Sequence, residues 1–438
     1  MVPFYVPETP AYTIVQSAAD SLRFTMTCCL TNYLGATCAT SSFVKPDGSI
    51  MDWHDFGPLE GPGWAANAVG GAYEMLWWAR FMGDAKMEAT AISILKHVLG
   101  NGFVDYSTGM IRGYRHTLRD EFVLNFKSNN DWFCPGSTAK IAVQMLLCSD
   151  LLPEYRHWLE SVALNYARWM DRHLELLPNG WFPRRVTPEG KHYTKAAEGG
   201  NDKFFATSAD GLFILQLWAE LTDRGLADYR EPLRKGLQVF MDAGGIYGSI
   251  NHDTYDPQES VAYSVAFRVF RRAGQVLDDP ALGQYALEQI LPGLDRFKMH
   301  EDRNGVATKG LLYMEDSWDT SYMWENAEAA LAHLEAYTDT GNMEYLVHGL
   351  TILRAISKHH HGPHGFLTEG VDWNNHVSQQ HHVDQALYGD IQYTEPFLNN
   401  QHIVEPTLYY LENHAKVVQE GKTRKYYDYE GNLLVEVK

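Results

Sequence analysis

Apolar positions recur at helical spacing along almost the whole chain. In the segment 321–340, Trp324, Ala327, Leu331 and Leu334 fall at i, i+3, i+7 and i+10, one stripe of an α-helix. Between 154 and 172, Tyr155, Trp158, Val162, Tyr166 and Trp169 draw a second stripe of the same kind. The same pattern predicts helices over 12–34, 67–82, 86–99, 137–151, 206–223, 228–242, 258–276, 281–296, 343–358 and 401–418. Neighbouring helices are divided by short turns rich in Gly, Asp and Pro: MGDAK at 82–86, LDDPA at 277–281 and DTGNMEY at 339–345.

The helices pair, and each pair ends in a loop with a glycine beside an apolar or aromatic residue. The landmarks are NGF at 101–103, NGW at 179–181, GGIYG at 244–248, NGV at 304–306 and HGF at 364–366. From Gly102 the loop glycines Gly180, Gly245, Gly305 and Gly365 follow at steps of 78, 65, 60 and 60 residues. A period of about 60 suits two helices of about 15 residues, a short turn and a long loop. Six or seven such pairs predict an all-α fold, an (α/α)6 or (α/α)7 barrel of helical hairpins with the long loops at one end. An open helical solenoid is the alternative, but its loops are short and uniform. No Ser/Gly-rich linker or charge block interrupts the pairs, so the expectation is one catalytic domain over 1–438.

Composition narrows the function classes. Against 36 Lys and Arg stand 55 Asp and Glu, a net charge of −19, so the basic footprint of a nucleic-acid partner is missing. No apolar run reaches the length of a membrane span. The first residues, MVPFYVPETPAYTIV, lack the charged and apolar stretches of a signal peptide. That predicts a cytoplasmic protein, or a secreted or periplasmic one whose signal has been removed. Five cysteines (Cys28, Cys29, Cys38, Cys134, Cys148) form no disulfide framework and no C-x-x-C pair. No nucleotide loop and no nucleophile elbow occurs, so no cofactor is expected. The 12 Trp and 25 Tyr supply faces on which pyranose rings stack, although most must belong to the core.

Candidate chemistry sits in the loops. EDSWDTSYMWEN, 315–326, offers the carboxylates Asp316, Asp319 and Glu325, with Trp318, Tyr322 and Trp324 as a stacking wall. Glycoside hydrolysis needs one protonated acid and one base or nucleophile flanking the bond. Asp319 is equally placed to cap the helix that follows. GSINHDTYDPQES, 248–260, places His252 and Tyr255 where a Tyr–His pair would take the C5 proton of a uronate; Asp-Pro at 256–257 also reads as a turn. TEGVDWNNHVSQQHH, 368–382, groups Asp372, Trp373, Asn374, Asn375 and His376, types that bind sugar hydroxyls. SNNDWFCPG, 128–136, adds Asn130 and Trp132, DWHDFGPLEGPGWAANAVGG, 52–71, extends the same rim, and WFPRRV, 181–186, supplies Arg184 and Arg185 for a carboxylated sugar. The run HHHGPH, 359–364, follows a helix end and fits no zinc spacing, so no metal site is predicted.

The stretch WENAEAALAHLEAYTDTGNMEYL, 324–346, followed by GFLTEGVDW, 365–373, resembles the six-hairpin glycosidase superfamily, in particular its N-acylglucosamine 2-epimerase and unsaturated glucuronyl hydrolase branches. Where the epimerase pattern has a His shortly before the helical Trp, this chain has Asp319, Tyr322 and Met323. The same barrel carries polysaccharide lyases, and that resemblance implies Asn, His, Tyr and Arg around a uronate. The reading is hydrolysis of a uronic-acid-containing oligo- or polysaccharide, with Asp319 or Asp372 as acid or base. Asn130, Trp132, Arg184, Arg185, Trp318, Tyr322, Trp373, Asn375 and His376 would bind the substrate. β-Elimination by Tyr255 and His252, with Asn375 and Arg185 neutralising the uronate, is the alternative, and sugar epimerisation or isomerisation a further one.

Overall fold

The computed structural model describes residues 2–51, 58–63, 67–193, 207–243, 256, 258–316, 320–375 and 388–438. The helices are α1 (Ile14–Cys28), α2 (Asn67–Met82), α3 (Ala85–Gly100), α4 (Pro135–Leu151), α5 (Arg156–His173), α6 (Asp210–Asp223), α7 (Arg230–Asp242), α8 (Ser260–Leu277), α9 (Pro280–Tyr285), α10 (Met323–Thr340), α11 (Met343–Ile356) and α12 (Val404–Asn413). Each of α2, α4, α6, α8, α10 and α12 packs on the next, and α12 packs on α2, so the inner ring closes. Helices α3, α5, α7, α9 and α11 back their predecessors from outside, and α1 backs α12. The described helices therefore form six hairpins, the sixth built from the two chain ends. This is an (α/α)6 barrel and not the seven-hairpin form.

Burial follows this division. The inner α4 is buried at every position from Pro135 to Leu146, whereas the outer α7 buries only Leu233, Gly236, Leu237 and Phe240, a single stripe. Caps set several starts: the side chains of Thr13, Asp84, Asp279 and Asn342 each accept a first-turn backbone N–H. The loop glycines adopt left-handed backbone at Gly102 (φ +104), Gly180 (+87), Gly305 (+78) and Gly365 (+85). At Gly365 a Cβ would also stand 2.5 Å from the Asp20 carbonyl oxygen, so glycine is required there twice over. The landmark at 244–248 lies outside the described residues.

Two helix expectations need correction. The segment 12–34 stops being helical at Cys28 and turns into a hairpin of Leu30–Tyr33 on Ala36–Ala39. The segment 401–418 is helical only over 404–413, and Lys416–Glu420, Thr423–Tyr427 and Leu433–Val437 form an antiparallel sheet. That sheet is fastened to the barrel by Arg354, whose guanidinium donates to Glu8 (3.3 Å), the Val6 carbonyl (3.1 Å), Asp428 (2.8 Å) and Glu430 (2.7 Å). No described helix is long and apolar enough to cross a membrane.

Candidate active site

Each outer helix returns the chain, so all six inner helices begin at the same end of the barrel. The long connections 101–134, 174–209, 243–259, 298–322 and 357–403 precede α4, α6, α8, α10 and α12 and bring their described residues to that end. Helix N-termini carry the positive ends of the backbone dipoles, and carboxylates in first turns answer them. Asp210, Glu325 and Glu405 hold such positions, all of them buried.

Below this rim a charged network crosses the barrel. His402, just before α12, lies between two carboxylates: Nδ1 is 2.8 Å from Glu74 of α2 and Nε2 is 3.0 Å from Glu328 of α10. Gln401 donates to the other Glu74 oxygen at 2.9 Å. Glu328 also receives Lys140 of α4 at 3.3 Å and Arg268 of α8 at 2.6 Å. Arg268 reaches on to Glu405 at 3.4 Å and Glu335 at 3.4 Å. Lys140 lies over the rings of Phe213 and Trp324, at 5.0 and 5.6 Å.

Burial and pairing pull these groups apart in acidity. Burial pushes Glu74 up to about 7, against the opposing pull of His402. Burial alone would strip His402 of its proton, yet the hydrogen bonds to Glu328 and Glu74 carry it up to about 9. Glu328 resists the same burial because Arg268, Lys140 and His402 hold it well below the usual carboxylate range. The network thus holds an imidazolium within hydrogen-bond reach of a carboxyl group that titrates near neutrality on one side and of a permanent carboxylate on the other, the arrangement that assigns acid and base roles.

The sequence-predicted residues fall into two groups. On the α4–α6 side, Arg185 is fully buried with its guanidinium 4.6 Å over the ring of Trp132. No hydrogen-bond acceptor reaches any of its three guanidinium nitrogens among the described residues. Its neighbour Arg184 is buried 3.7 Å from Asp210 at the start of α6. Asn130 is exposed on the preceding turn and donates to the Phe122 carbonyl at 3.5 Å. On the α10–α12 side, the strand Gly370–Asp372 pairs with Thr320–Tyr322, opposing Asp372 to Thr320. Asp372 is fully buried and accepts from the Asn374 backbone at 2.8 Å. Trp373 is buried under Arg303, 5.3 Å away, while Tyr322 and Asn375 are half-buried, Asn375 with φ +56. Asp319, Tyr255, His252, Trp318 and His376 lie outside the described residues.

The histidine run has local partners. His359 and His361 both bond Asp390, the first at 2.7 Å, and hold it at about 2 against its burial. His360 bridges Ser17 Oγ at 2.8 Å and the Gly365 carbonyl at 3.0 Å.

Sequence reasoning did not single out Glu74, Lys140, Arg268, Glu328 or His402. Lys140 alone carries a distinct signal, the one charge in α4 before Asp150; Glu74, Arg268 and Glu328 share their helices with other charges, and His402 precedes α12.

No family model and no curated protein matches the chain. Solved structures do. Cellobiose 2-epimerase from Bacillus thermoamylovorans superposes with a TM-score of 0.65 at 11% identity, over 91% of this chain and 98% of that one. An unsaturated glucuronyl hydrolase specific for heparin gives 0.57 at 12%, over 91% and 96%. A polysaccharide lyase gives 0.57 at 11%, over 91% of this chain and 53% of the lyase. The likeness is one of fold: the chain is built as the six-hairpin (α/α)6 toroid that these epimerases, hydrolases and lyases share.

Proposed function

We propose that the chain is a carbohydrate-active enzyme, a single catalytic domain over 1–438, that hydrolyses a glycosidic bond in a uronic-acid-containing glycan. The observation that carries this reading is Arg185, a fully buried guanidinium held over Trp132 with no acceptor among the described residues. A uronate carboxylate is the planar bidentate acceptor that such a fork matches. Arg184, Asn130, Asn375 and His376 are assigned to the remaining polar groups of the sugar, and Trp132, Trp318, Tyr322 and Trp373 to its faces. Asp319 and Asp372 are the proposed acid and base at the scissile bond. Glu74 and His402 are assigned as the proton reservoir, since both exchange protons at or above neutral pH.

A second reading is favoured by His402 itself. An imidazolium between a protonatable and an ionised carboxylate suits proton transfer at a sugar carbon, which would make the enzyme an epimerase or isomerase. One assay separates the readings. The full chain is incubated with saturated uronans, with oligosaccharides ending in an unsaturated uronate, and with neutral oligosaccharides. New reducing ends, with loss of far-ultraviolet absorbance on the unsaturated substrate, support hydrolysis. A gain of that absorbance on the saturated uronan identifies a lyase, and turnover at constant chain length identifies an epimerase. Equal turnover of neutral and uronate substrates, unchanged in Arg185→Gln, overturns the uronate assignment.

A further inference from the structure

A second cluster of ligating side chains lies apart from the barrel network, where the hairpin 30–39 and the strand Leu59–Glu60 cover the last turn of α3. We propose that Cys38, Glu60 and His97 form a binding site for a divalent cation of the zinc class. The three residues come from the hairpin, the strand and the helix, and all are buried. The thiol sulfur, a carboxylate oxygen and a ring nitrogen lie within 4.8 Å of one another. His97 Nε2 and Glu60 Oε1 are already 3.2 Å apart. Tetrahedral zinc, with bonds of about 2.0–2.3 Å, sets its ligand atoms about 3.2–3.8 Å apart. Closing around an ion therefore asks for shifts of about 1 Å at most. A thiolate, an imidazole and a carboxylate are a zinc-type donor set, and a water completes the tetrahedron.

Two further observations point to an ion. Glu60 is 1% exposed, its Oε2 is buried with no donor in close hydrogen-bond geometry, and the Cys38 thiol shares its proton with this carboxylate, the proton that an ion displaces. Oε1 serves Arg115 and His97, so the two oxygens already divide the work. Arg115 does not repel an ion beyond balance, because it is shared with Asp120 at 2.8 Å. A dication, Arg115, the Cys38 thiolate, Glu60 and Asp120 together sum to neutrality. Behind the ring, His97 Nδ1 meets the Asn101 amide at 2.9 Å. That contact is made by Asn101 Nδ2, which donates to Nδ1; when Nε2 takes the metal its proton moves to Nδ1, and a flip of the Asn101 side-chain amide turns Oδ1 to accept it, the outer-shell contact that ligating histidines require. The Cys38 thiol loses its proton to water, so each ion bound releases one proton.

The test uses the full chain stripped of metal and titrated with cobalt(II), then zinc. The expected result is one cobalt per chain with a thiolate-to-metal band in the near ultraviolet, which one equivalent of zinc abolishes. Cys38→Ser removes the band, whereas Cys28→Ser and Cys148→Ser keep it. Asn101→Ala weakens binding roughly 10–100-fold. If Cys38→Ser does not fold, retention of the band in both other cysteine variants still supports the assignment. Absence of cobalt binding overturns the proposal, as does loss of the band in Cys28→Ser. Stoichiometric binding without any thiolate band also overturns it and places the ion on Glu74, His402 and Glu405 instead, which lie within the same reach of one another.

Discussion

Replacing His402 by glutamine removes the one group of the barrel network whose charge depends on pH in the alkaline range. In the folded chain the ring is carried from its ordinary 6.5 up to about 9 by the carboxylates of Glu328 and Glu74. One pKa unit corresponds to about 1.4 kcal/mol, so the shift links roughly 3 kcal/mol of folding stability to the proton on this ring. Because the folded value is the higher one, that stability is fully present below about pH 6.5 and is lost as pH rises through about 9. Glu74 is also raised, from 4.5 to about 7, and its effect falls in the window below. Urea unfolding followed by far-ultraviolet circular dichroism at fixed pH between 7 and 9.5 isolates the histidine. The wild type should lose on the order of 3 kcal/mol across that window, with a slope near one proton. His402→Gln should give a flatter curve toward pH 9.5, although Glu74, relieved of the imidazolium that opposes its burial, then titrates higher and keeps part of the slope at the lower end of the window. Parallel curves for the two proteins would refute the picture of an imidazolium held between two carboxylates.

Three further outcomes follow from burial. Arg185→Met should raise the melting temperature, because an unpaired buried charge costs several kcal/mol and an apolar side chain of similar length does not; a lower melting temperature contradicts the burial argument. Arg354→Ala should destabilise the chain by roughly 3–5 kcal/mol, since it strands the carboxylates of Glu8 and Asp428 in the core. Limited proteolysis should then cut first between 414 and 438, and an unchanged cleavage pattern would show that the sheet is held otherwise. Gly365→Ala should cost about 1–3 kcal/mol in denaturant titration, from the positive φ and the close Asp20 carbonyl together, whereas the same change at Gly305, which has the φ but open space around it, should cost only the backbone part.

The outer helices were legible because burial repeats every three to four residues in them, and Val162, Tyr166 and Trp169 of α5 are buried as their spacing predicts, whereas the inner α10 is buried at every position from Met323 to Ala336. The loop glycines were legible for a local reason, the left-handed backbone that Gly102, Gly180, Gly305 and Gly365 adopt. The strands escaped because they are short and paired locally, and the charges of Lys416 and Glu420 stand four residues apart, a spacing that continues a helix face equally well. The charged network escaped for a different reason. Glu74, Lys140 and Glu328 each look like the solvated position of an amphipathic helix, and only ring closure turns that face inward. Closure depends on contacts between chain ends, such as α1 on α12, that no local pattern encodes. Arg184 and Arg185 were visible because a pair of arginines in an acidic chain already calls for a reason.

That reason sharpens when the buried cations are compared. Arg268 has Glu328 and Glu405, Arg354 has Glu8 and Asp428, Arg115 has Glu60, and Lys140 has Glu328. Lys298 has Asp295 at 2.6 Å, and Arg184 has Asp210. With 55 acidic residues to place, the chain provides a carboxylate for each of these cations. Arg185 alone in this group is given an aromatic face and no acceptor among the described residues. A ring face contributes about 1–2 kcal/mol to a desolvated cation, less than the several kcal/mol of desolvation that a buried charge carries. The deficit is reconciled if the missing carboxylate arrives with the substrate: binding then supplies the partner that folding withheld, and a neutral sugar in the same place leaves the charge uncompensated. Under the proposed reading, selectivity for a uronate over its neutral counterpart should therefore rest on Arg185, with the size of a charge-assisted pair, roughly 1.5–3 kcal/mol or about 10–150-fold in kcat/KM.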